Sequence, residues 1–324
     1  MEIFKKMSNE SFIIVTPVYE DFSASSRLFR ELAASYRDRV YVVVVDDGSV
    51  REPVTTSQLA DAGIDGVVLR LRRNVGHQKA IAVGLGYVEE NLPEAERVVV
   101  MDSDGEDVPE TIQTLLDSLK QPTVDVAVAR RKSRVETIKF RVFYVVYKFI
   151  FQLLTGRSIS FGNFMAMRRP ALIRLNAMHE VWTHVAAGLI ASKLRLAICP
   201  IDRGPRYAGQ SKMNFVGLTL HGFRALMVFA EDVLVRVGLM CVVVSSASVA
   251  FALVATLLKL AGYATPGWFS MALGVLFLVF LQTGTLTLMT LMLSGVARGG
   301  IQRHGAYAEY LLTVLKVPKN AERG

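Results

Sequence analysis

The fold of this chain is decided by the segment at residues 97–104, which reads RVVVMDSD. Its β-branched first half predicts a buried strand, and Asp102 and Asp104 follow directly after it. Two carboxylates one residue apart at the carboxyl end of a strand can face the same crevice. Carboxylate oxygens are the ligands that a hard divalent cation prefers. The segment therefore predicts a strand that ends at a cation-binding loop.

Other predicted strands surround this one and alternate with helices. Apolar or β-branched runs predict strands at residues 12–15, 40–45, 66–71, 98–101 and 124–129. Helical spacing predicts helices at residues 25–36, 78–90 and 109–119. This alternation is typical of an α/β domain with a largely parallel, Rossmann-like sheet. Polar residues follow four of the strands, and ligands bind beyond such ends, so we expect one site there.

Two long uncharged segments near the C-terminus are not typical of a soluble enzyme. The chain is 52% hydrophobic, with a mean hydropathy of +0.35. Residues 237–258 and 269–296 contain no Asp, Glu, Lys or Arg. A helix needs about 20 apolar residues to cross the hydrocarbon core of a bilayer. Pro266 and Gly267 lie in the short link, so we predict a hairpin of two transmembrane helices.

Basic residues predict which side of the membrane carries the large domain. Arg224 and Arg236 precede the first span, and only Lys259 lies in the link. Five basic residues follow the second span: Arg298, Arg303, Lys316, Lys319 and Arg323. The positive-inside rule then predicts a cytoplasmic catalytic domain. The polar, charged start of the chain does not predict a cleavable signal peptide.

These segments divide the chain into four predicted parts. Residues 1–213 form the α/β catalytic domain, 214–232 a juxtamembrane amphipathic helix, 233–297 the two transmembrane helices and 298–324 a cytoplasmic tail. The two cysteines, Cys199 and Cys241, predict neither a disulfide framework nor a metal cluster. The net charge of +8 suits anionic membranes and phosphorylated ligands. No recognition motif accompanies it, so nucleic acid is not an expected partner.

Six short motifs carry a resemblance to a known family. They are TPVYE (16–20), VDDGS (45–49), RNVGHQKA (73–80), MDSDGEDVPE (101–110), FGNF (161–164) and YAGQSK (207–212). In this order they resemble the family-2 glycosyltransferases with a GT-A fold, and more closely the polyprenyl-phosphate glycosyltransferases of the dolichyl-phosphate mannose synthase group. The similarity covers roughly residues 11–215, and the two-span tail is similar to that of bacterial members. It implies a multi-pass protein of the bacterial inner (plasma) membrane.

The resemblance implies roles for individual residues. The nucleotide-sugar pocket would be lined by Pro17, Tyr19, Glu20, Asp46, Asn74 and Asp102, with Asp46 accepting from the base and Glu20 holding the ribose or base edge. Asp102 and Asp104 would be the D-x-D pair, with Mg²⁺ or Mn²⁺ joining them to the donor diphosphate. Glu106 completes the predicted metal site, at a position where relatives often carry Gln.

Cationic side chains are expected to hold the acceptor phosphate. The candidates are Arg130, Arg131, Arg134, Arg203, Arg206 and Lys212, of which Arg130 and Arg131 join Asp104 as predicted catalytic residues. A phosphate monoester has a second pKa near about 6, so it is mostly dianionic at neutral pH. It therefore needs positioning by cations more than it needs a general base. We expect an inverting transfer of a sugar from a nucleotide-sugar donor to a polyprenyl phosphate.

Asn163 leaves another acceptor open. Many relatives carry Asp at this position, and Asn cannot take a proton. If the acceptor is a hydroxyl of a lipid-linked saccharide, Glu180 or His184 would be the first candidate bases. A non-catalytic membrane scaffold is the alternative from another class, and the intact D-x-D pair argues against it. Small residues in the hairpin also permit a homo-oligomer: Ser245, Ser246, Ala247, Gly274 and Gly284.

Overall fold

The structure is a computed structural model that describes residues 10–130, 138–208, 215–263, 267–297 and 305–317. The chain separates into two compact units. The first comprises Met1–Arg141, Ile159–Val228 and Ile301–Gly324, and the second comprises Val142–Ser158 and Phe229–Gly300. The predicted catalytic domain at 1–213 therefore lacks a segment of the first unit and includes a segment of the second.

The first unit is built on a mixed β-sheet. Its described strands are β1 (Phe12–Val18), β2 (Val40–Asp46), β3 (Asp65–Leu71), β4 (Arg97–Val100), β5 (Val126–Arg130), β6 (Met165–Arg168), β7 (Leu196–Pro200) and β8 (Leu311–Lys316). They lie in the order β7-β5-β6-β4-β1-β2-β3-β8. β6 and β8 run antiparallel to their neighbours, whereas the other pairs are parallel. The sheet is thus less parallel than the sequence predicts, because β6 inserts between β4 and β5.

Helices cover both faces of this sheet. The helices of the first unit are α1 (Phe22–Tyr36), α2 (Thr56–Ala62), α3 (His77–Asn91), α4 (Ile112–Ser118), α6 (Arg169–Asn176), α7 (His179–Thr183), α8 (Val185–Ala191) and α9 (Phe215–Val228). Helix α5 (Ile138–Thr155) follows β5 in the chain and belongs mostly to the second unit. Alternate residues of a strand point to opposite faces. Ile13 and Val15 accordingly join one core cluster, and Phe12 and Ile14 join the other. Burial on both faces explains the continuous apolar runs of the central strands.

The segment predicted as a cytoplasmic tail is partly a strand of this sheet. β8 pairs with β3, so that Val68 lies opposite Leu315. Just before β8, Tyr307 is buried and meets Tyr87 edge to face at 6.2 Å between ring centroids. An uncovered β3 would present a row of unpaired backbone groups, and β8 satisfies them. The predicted boundary at residue 298 therefore separated β8 from the domain to which it belongs.

The second unit contains the predicted hairpin. Its helices α10 (Ala230–Leu260) and α11 (Trp268–Ala297) are long and apolar enough to cross a membrane, by length and composition. The hydroxyls of Ser245 and Thr283 form a hydrogen bond between the two helices. Most of α5 belongs to this unit, in which the Arg157 Nη2 lies 3.4 Å from the Asp232 Oδ2. The two predicted spans thus pair with each other as an antiparallel hairpin.

Candidate active site

The carboxyl ends of five strands meet at one edge of the sheet. β1 to β4 are mutually parallel through their pairings, and β5 runs in the same direction because β6 is antiparallel to both β4 and β5. The predicted site residues Tyr19, Glu20, Asp46, Asn74, Asp102, Asp104 and Arg130 follow or end these strands. The structure therefore brings them to one edge. Arg131, Arg134 and Lys212 lie outside the described residues.

The D-x-D pair forms a tight loop after β4. Asp102 is partly buried, and its backbone N–H donates to the Asp107 Oδ2 at 2.9 Å. The Asp104 Oδ1 accepts from the Glu106 N–H at 3.0 Å. Burial raises the pKa of the Asp104 carboxyl, and the neighbouring Asp102 carboxylate raises it further. Two carboxylates held together in this way are stabilised by a cation between or beside them.

The two aspartates fit a divalent cation. The Asp102 Oδ1 is buried and has no hydrogen-bond partner in the described part of the chain, although His77 lies 3.2 Å away. An unpaired buried carboxylate oxygen is costly unless a ligand satisfies it. Among the described residues no cluster of three or more His, Cys, Asp or Glu side chains could hold a metal. Mg²⁺ commonly takes one or two carboxylates together with substrate phosphates, so the pair still suits a cation delivered with a diphosphate.

Two arginines from the loop after β7 face the D-x-D loop. The Arg206 Nη2 lies 2.9 Å from the Asp104 Oδ2, and its Nε lies 3.0 Å from the Glu106 Oε1. Arg203 forms an ion pair with the other oxygen of Glu106. Two of the six predicted phosphate-binding cations, Arg203 and Arg206, therefore form ion pairs with carboxylates of the D-x-D loop. Arg130 ends β5 as an exposed side chain.

His77 connects two parts of the site. It begins α3, and its Nε2 lies 3.2 Å from the Asp102 Oδ1 and 3.1 Å from the Asn163 Nδ2. Burial lowers the pKa of His77, but attraction to the Asp102 carboxylate outweighs this effect and the pKa is raised. His77 thus contacts both Asn163 and the first aspartate of the D-x-D pair.

Two predicted nucleotide-binding carboxylates hold the loop after β2. The Asp46 oxygens accept from the N–H groups of Ser49 and Val54 at 2.9 and 3.2 Å, and the side chain is fully buried. The Glu20 carboxylate accepts hydrogen bonds from the consecutive N–H groups of residues 50–52. These bonds lower the pKa of Glu20, although burial acts in the opposite direction. Both carboxylates therefore shape the wall of the predicted nucleotide pocket from behind.

The remaining predicted pocket residues differ in exposure. Pro17 is buried within β1, whereas the neighbouring Tyr19 is 43% exposed and can contact a base. Asn74 lies in the loop after β3. The Asp47 carboxylate fixes that loop, because it accepts from the N–H groups of Val75 and Gly76 at 2.7 and 3.0 Å. Asp47 was not among the predicted site residues, and its position beside Asp46 in VDDGS was the available signal.

The two side chains considered as bases are placed differently. His184 is buried, and its Nε2 lies 3.0 Å from the His221 Nε2. Its Nδ1 accepts from the Ala187 N–H at the start of α8. Both nitrogens are therefore engaged within the protein, so His184 is not positioned to take a proton from an acceptor. Glu180 lies on α7 with a partly buried side chain.

Comparisons with known proteins agree with this fold. The sequence matches the family Glycosyl transferase family 2 over residues 13–182, more than half of the chain. The chain is 27% identical over 280 residues to the uncharacterized glycosyltransferase sll0501 of Synechocystis sp. (strain ATCC 27184 / PCC 6803 / Kazusa), covering 82% of this chain and 84% of that protein. It is also 24% identical over 212 residues to the uncharacterized glycosyltransferase YkcC of Bacillus subtilis (strain 168), covering 62% of each. This chain belongs to glycosyltransferase family 2.

Solved structures share the architecture at low sequence identity. Glucosyl-3-phosphoglycerate synthase from Mycobacterium tuberculosis, in complex with Mn²⁺, UDP-glucose and phosphoglyceric acid, aligns with a TM-score of 0.51 at 18% identity. The alignment covers 72% of this chain and 82% of the synthase. A mycobacterial protein of known structure gives the same TM-score at 14% identity, with 71% and 77% coverage. These similarities establish the GT-A fold of the first unit.

Proposed function

We propose that this chain transfers a sugar, with inversion, from a nucleotide-sugar to a polyprenyl phosphate at the cytoplasmic face of the bacterial inner membrane. The observation that carries the proposal is the pair of carboxylates after β4: the buried Asp102 Oδ1 lies 3.2 Å from His77, and Asp104 forms an ion pair with Arg206. Carboxylates for a cation and arginines for phosphates suit a diphosphate leaving group. Two apolar helices in the same chain suit a lipid-borne acceptor.

The donor would lie across the carboxyl ends of β1 to β4. Tyr19 would contact the base, and the loops held by Glu20, Asp46 and Asp47 would form the pocket walls around it. Pro17 and Asn74 would complete the pocket. Asp102 and Asp104 would hold Mg²⁺ or Mn²⁺. The bound cation would neutralise the charge that grows on the diphosphate as the bond to the sugar breaks.

The acceptor would approach from the basic side of the site. A phosphate monoester is already anionic at neutral pH, so Asn163 need not act as a base. Arg130 is an exposed residue at the end of β5. Its planar guanidinium can donate hydrogen bonds to two phosphate oxygens. The sequence names Arg131, Arg134 and Lys212 as further candidates for this phosphate. In this arrangement the protein positions the nucleophile and the leaving group rather than moving a proton.

The two apolar helices would place this site at a membrane. The chain up to Val228 and from Ile301 onward belongs to the first unit on either side of the hairpin, and β8 is part of the sheet of that unit. A chain that leaves and returns to one domain through two spans must have that domain on a single side of the bilayer. The excess of Lys and Arg flanking the hairpin predicts the cytoplasmic side. On α11 the sites of Gly274 and Gly284 are open, which would suit a homo-oligomer.

A screen of donors and acceptors tests the proposal. The full chain is purified in liposomes and incubated with Mn²⁺ or Mg²⁺ and each common nucleotide-sugar, because the mycobacterial synthase of the same fold binds Mn²⁺ and UDP-glucose. One set contains undecaprenyl phosphate, and the other contains a lipid-linked saccharide with free hydroxyls. We expect a new glycolipid, detected by its mass, in the first set. Products in the second set alone would favour the hydroxyl acceptor, and no turnover of any donor would favour a scaffold.

A further inference from the structure

The D-x-D loop is joined to the loop after β7 by backbone hydrogen bonds. The Gly204 N–H donates to the Glu106 carbonyl at 3.0 Å, and the Tyr207 N–H donates to the Asp104 carbonyl at 2.9 Å. Gly105 lies between these two bonds with φ +89°, and a Cβ there would lie 2.6 Å from the Tyr207 ring. The two loops therefore form one unit, and the positions of Arg203 and Arg206 are tied to those of the metal-site carboxylates.

Glu106 is the charged centre of this unit. Its side chain is 19% exposed, and its two carboxylate oxygens face different arginines. The Oε1 accepts from the Arg206 Nε at 3.0 Å, and the Oε2 pairs with Arg203. A largely buried carboxylate that accepts charge-assisted bonds from two guanidinium groups fixes the direction of both. These contacts use both oxygens of the side chain that the sequence assigned to the metal.

Arg206 divides its nitrogens between two carboxylates. Its Nε donates to the Glu106 Oε1 at 3.0 Å, and its Nη2 lies 2.9 Å from the Asp104 Oδ2. Asp104 would lose this partner when it binds a cation, whereas the bond to Glu106 involves a different nitrogen and need not break. The Nη2 would then be available to an anion that arrives with the cation. Glu106 would hold Arg206 beside the cation throughout.

We propose that Glu106 is a positioning residue that anchors Arg203 and Arg206 toward the donor diphosphate, rather than a ligand of the cation. The inference rests on the proposed function and assigns Glu106 a different part in the same site. It also accounts for a carboxylate at this position: an amide has one acceptor oxygen and no charge, so it cannot hold two guanidinium groups in the same way.

The test separates an anchor from a ligand by removing the arginines. Glu106→Ala and Glu106→Gln are made in the full chain and again in an Arg203→Gln/Arg206→Gln background. Binding of UDP, GDP, CDP and ADP with Mn²⁺ is measured by calorimetry, and binding of Mn²⁺ alone by electron paramagnetic resonance. Glu110→Gln is the matched control, because it removes a charge from an exposed carboxylate of the same loop region.

An anchor acts only through the arginines. We expect Glu106→Ala to weaken nucleoside diphosphate binding about tenfold, as for the loss of one charge-assisted hydrogen bond, and Glu106→Gln to weaken it less. In the arginine-free background we expect either change to alter Mn²⁺ and nucleotide binding by no more than about threefold, similar to the Glu110→Gln control. Retained thermal unfolding midpoints would show that the variants are folded.

Other outcomes contradict the inference in distinguishable ways. An equal loss of Mn²⁺ binding on changing Glu106 with and without the arginines would make Glu106 a metal ligand and overturn the anchor. If the wild-type chain binds one diphosphate and Glu106→Ala binds it equally well, Glu106 is not an anchor, but the proposed function stands. If the wild-type chain bound none of the four diphosphates with Mn²⁺, both the proposed function and this inference would fail.

Discussion

Arg206 and Asp104 form an ion pair in which the guanidinium Nη2 lies 2.9 Å from the carboxylate Oδ2. The pair places a cationic side chain on the second aspartate of the D-x-D motif. Burial raises the pKa of the Asp104 carboxyl, and the charge of Arg206 opposes this rise. A divalent cation bound beside Asp104 would oppose this rise in the same sense as Arg206. Asp104 is therefore a direct test of metal dependence.

We expect Asp104→Ala to abolish sugar transfer while the protein stays folded. The change removes one of the two aspartates proposed to hold the cation, from a loop and not from the sheet. Transfer is measured as glycolipid formed per minute at saturating Mn²⁺, with the unfolding temperature as the control for folding. EDTA should stop the wild-type reaction, and added Mg²⁺ or Mn²⁺ should restore it. Near-normal turnover of Asp104→Ala would contradict the assignment.

Local sequence signals were sufficient to predict strands whose carboxyl ends meet at the candidate site. The β-branched runs predicted β2 and β4, and the polar residues after them do lie at one edge of the sheet. Such signals are short in range, because strand, turn and polar loop follow one another within about ten residues. The family itself was also predicted correctly, because the order of six motifs is specific even though each motif is short.

Long-range pairing could not be predicted in the same way. β8 pairs with β3 although Val67 lies in the first quarter of the chain and its partner Lys316 in the last. The run LLTVL is too short for periodicity to distinguish a strand from part of a helix. The arginine contacts of Glu106 are of the same kind, since Arg206 lies 100 residues away. Only tertiary structure shows that a carboxylate next to a D-x-D pair is paired with guanidinium groups.

Tyr307 is expected to be a major stabilising residue of the first unit. It is buried against Tyr87, and its hydroxyl accepts from the Asn91 Nδ2 at 2.7 Å. Tyr307→Ala leaves a cavity, and large-to-small changes of buried aromatic residues cost about 3–5 kcal/mol of unfolding free energy. Leu312→Ala is the control, because Leu312 lies in β8 but is 63% exposed. Equal unfolding temperatures for the two variants would show that burial of the Tyr307 ring does not stabilise the domain.

Gly105 is predicted to tolerate no side chain. Its φ of +89° disfavours L-residues, and a Cβ would also lie 2.6 Å from the Tyr207 ring. Gly76 has a similar φ of +90° but nothing within 4 Å of its Cβ position, so Gly76→Ala measures the backbone strain alone. We expect Gly105→Ala to lower both the unfolding temperature and the rate of sugar transfer more than Gly76→Ala lowers them. The extra loss would come from separating the D-x-D loop from the arginine loop.

The His184–His221 pair is expected to make stability depend on pH. Burial lowers the pKa of His184 to about 3, and the nearby His221 and Arg224 contribute to this shift. Burial also lowers the pKa of His221, and His77 acts in the same direction. The unfolded chain, with a histidine pKa near 6.5, binds more protons between these values, so stability is full above about pH 6.5 and falls as the pH falls.

At pH 5 the loss from His184 amounts to about 2 kcal/mol of unfolding free energy, from the difference between its folded and unfolded pKa values. We therefore expect the unfolding temperature to drop between pH 7.5 and pH 5. His184→Asn should reduce this drop, whereas His179→Asn should not, because His179 is an exposed residue of α7. An identical pH dependence in His184→Asn and wild type would rule out the pair as its source.

The contrast between Arg130 and Asn163 decides which acceptor the enzyme uses. For a lipid-phosphate acceptor, Asn163→Ala should weaken positioning near His77 but retain turnover, because no side-chain base is required. Arg130→Ala should cost about 1.5–3 kcal/mol, or roughly ten- to a hundredfold in rate, because one phosphate oxygen loses a charge-assisted bond. Arg195→Ala is the matched control, since Arg195 is an exposed arginine that pairs with Asp125 before β5, away from the strand's carboxyl end.

The pH profile of the wild-type rate gives a second reading of the same question. With a phosphate nucleophile the rate should rise through the acceptor's own second pKa, near about 6, and this rise should be unchanged in Asn163→Ala. With a sugar hydroxyl the rise would instead follow a protein group. If undecaprenyl phosphate is inert while a lipid-linked saccharide is glycosylated, the hydroxyl acceptor is correct. Glu180 would then be the next residue to change, because the nitrogens of His184 are already engaged within the fold.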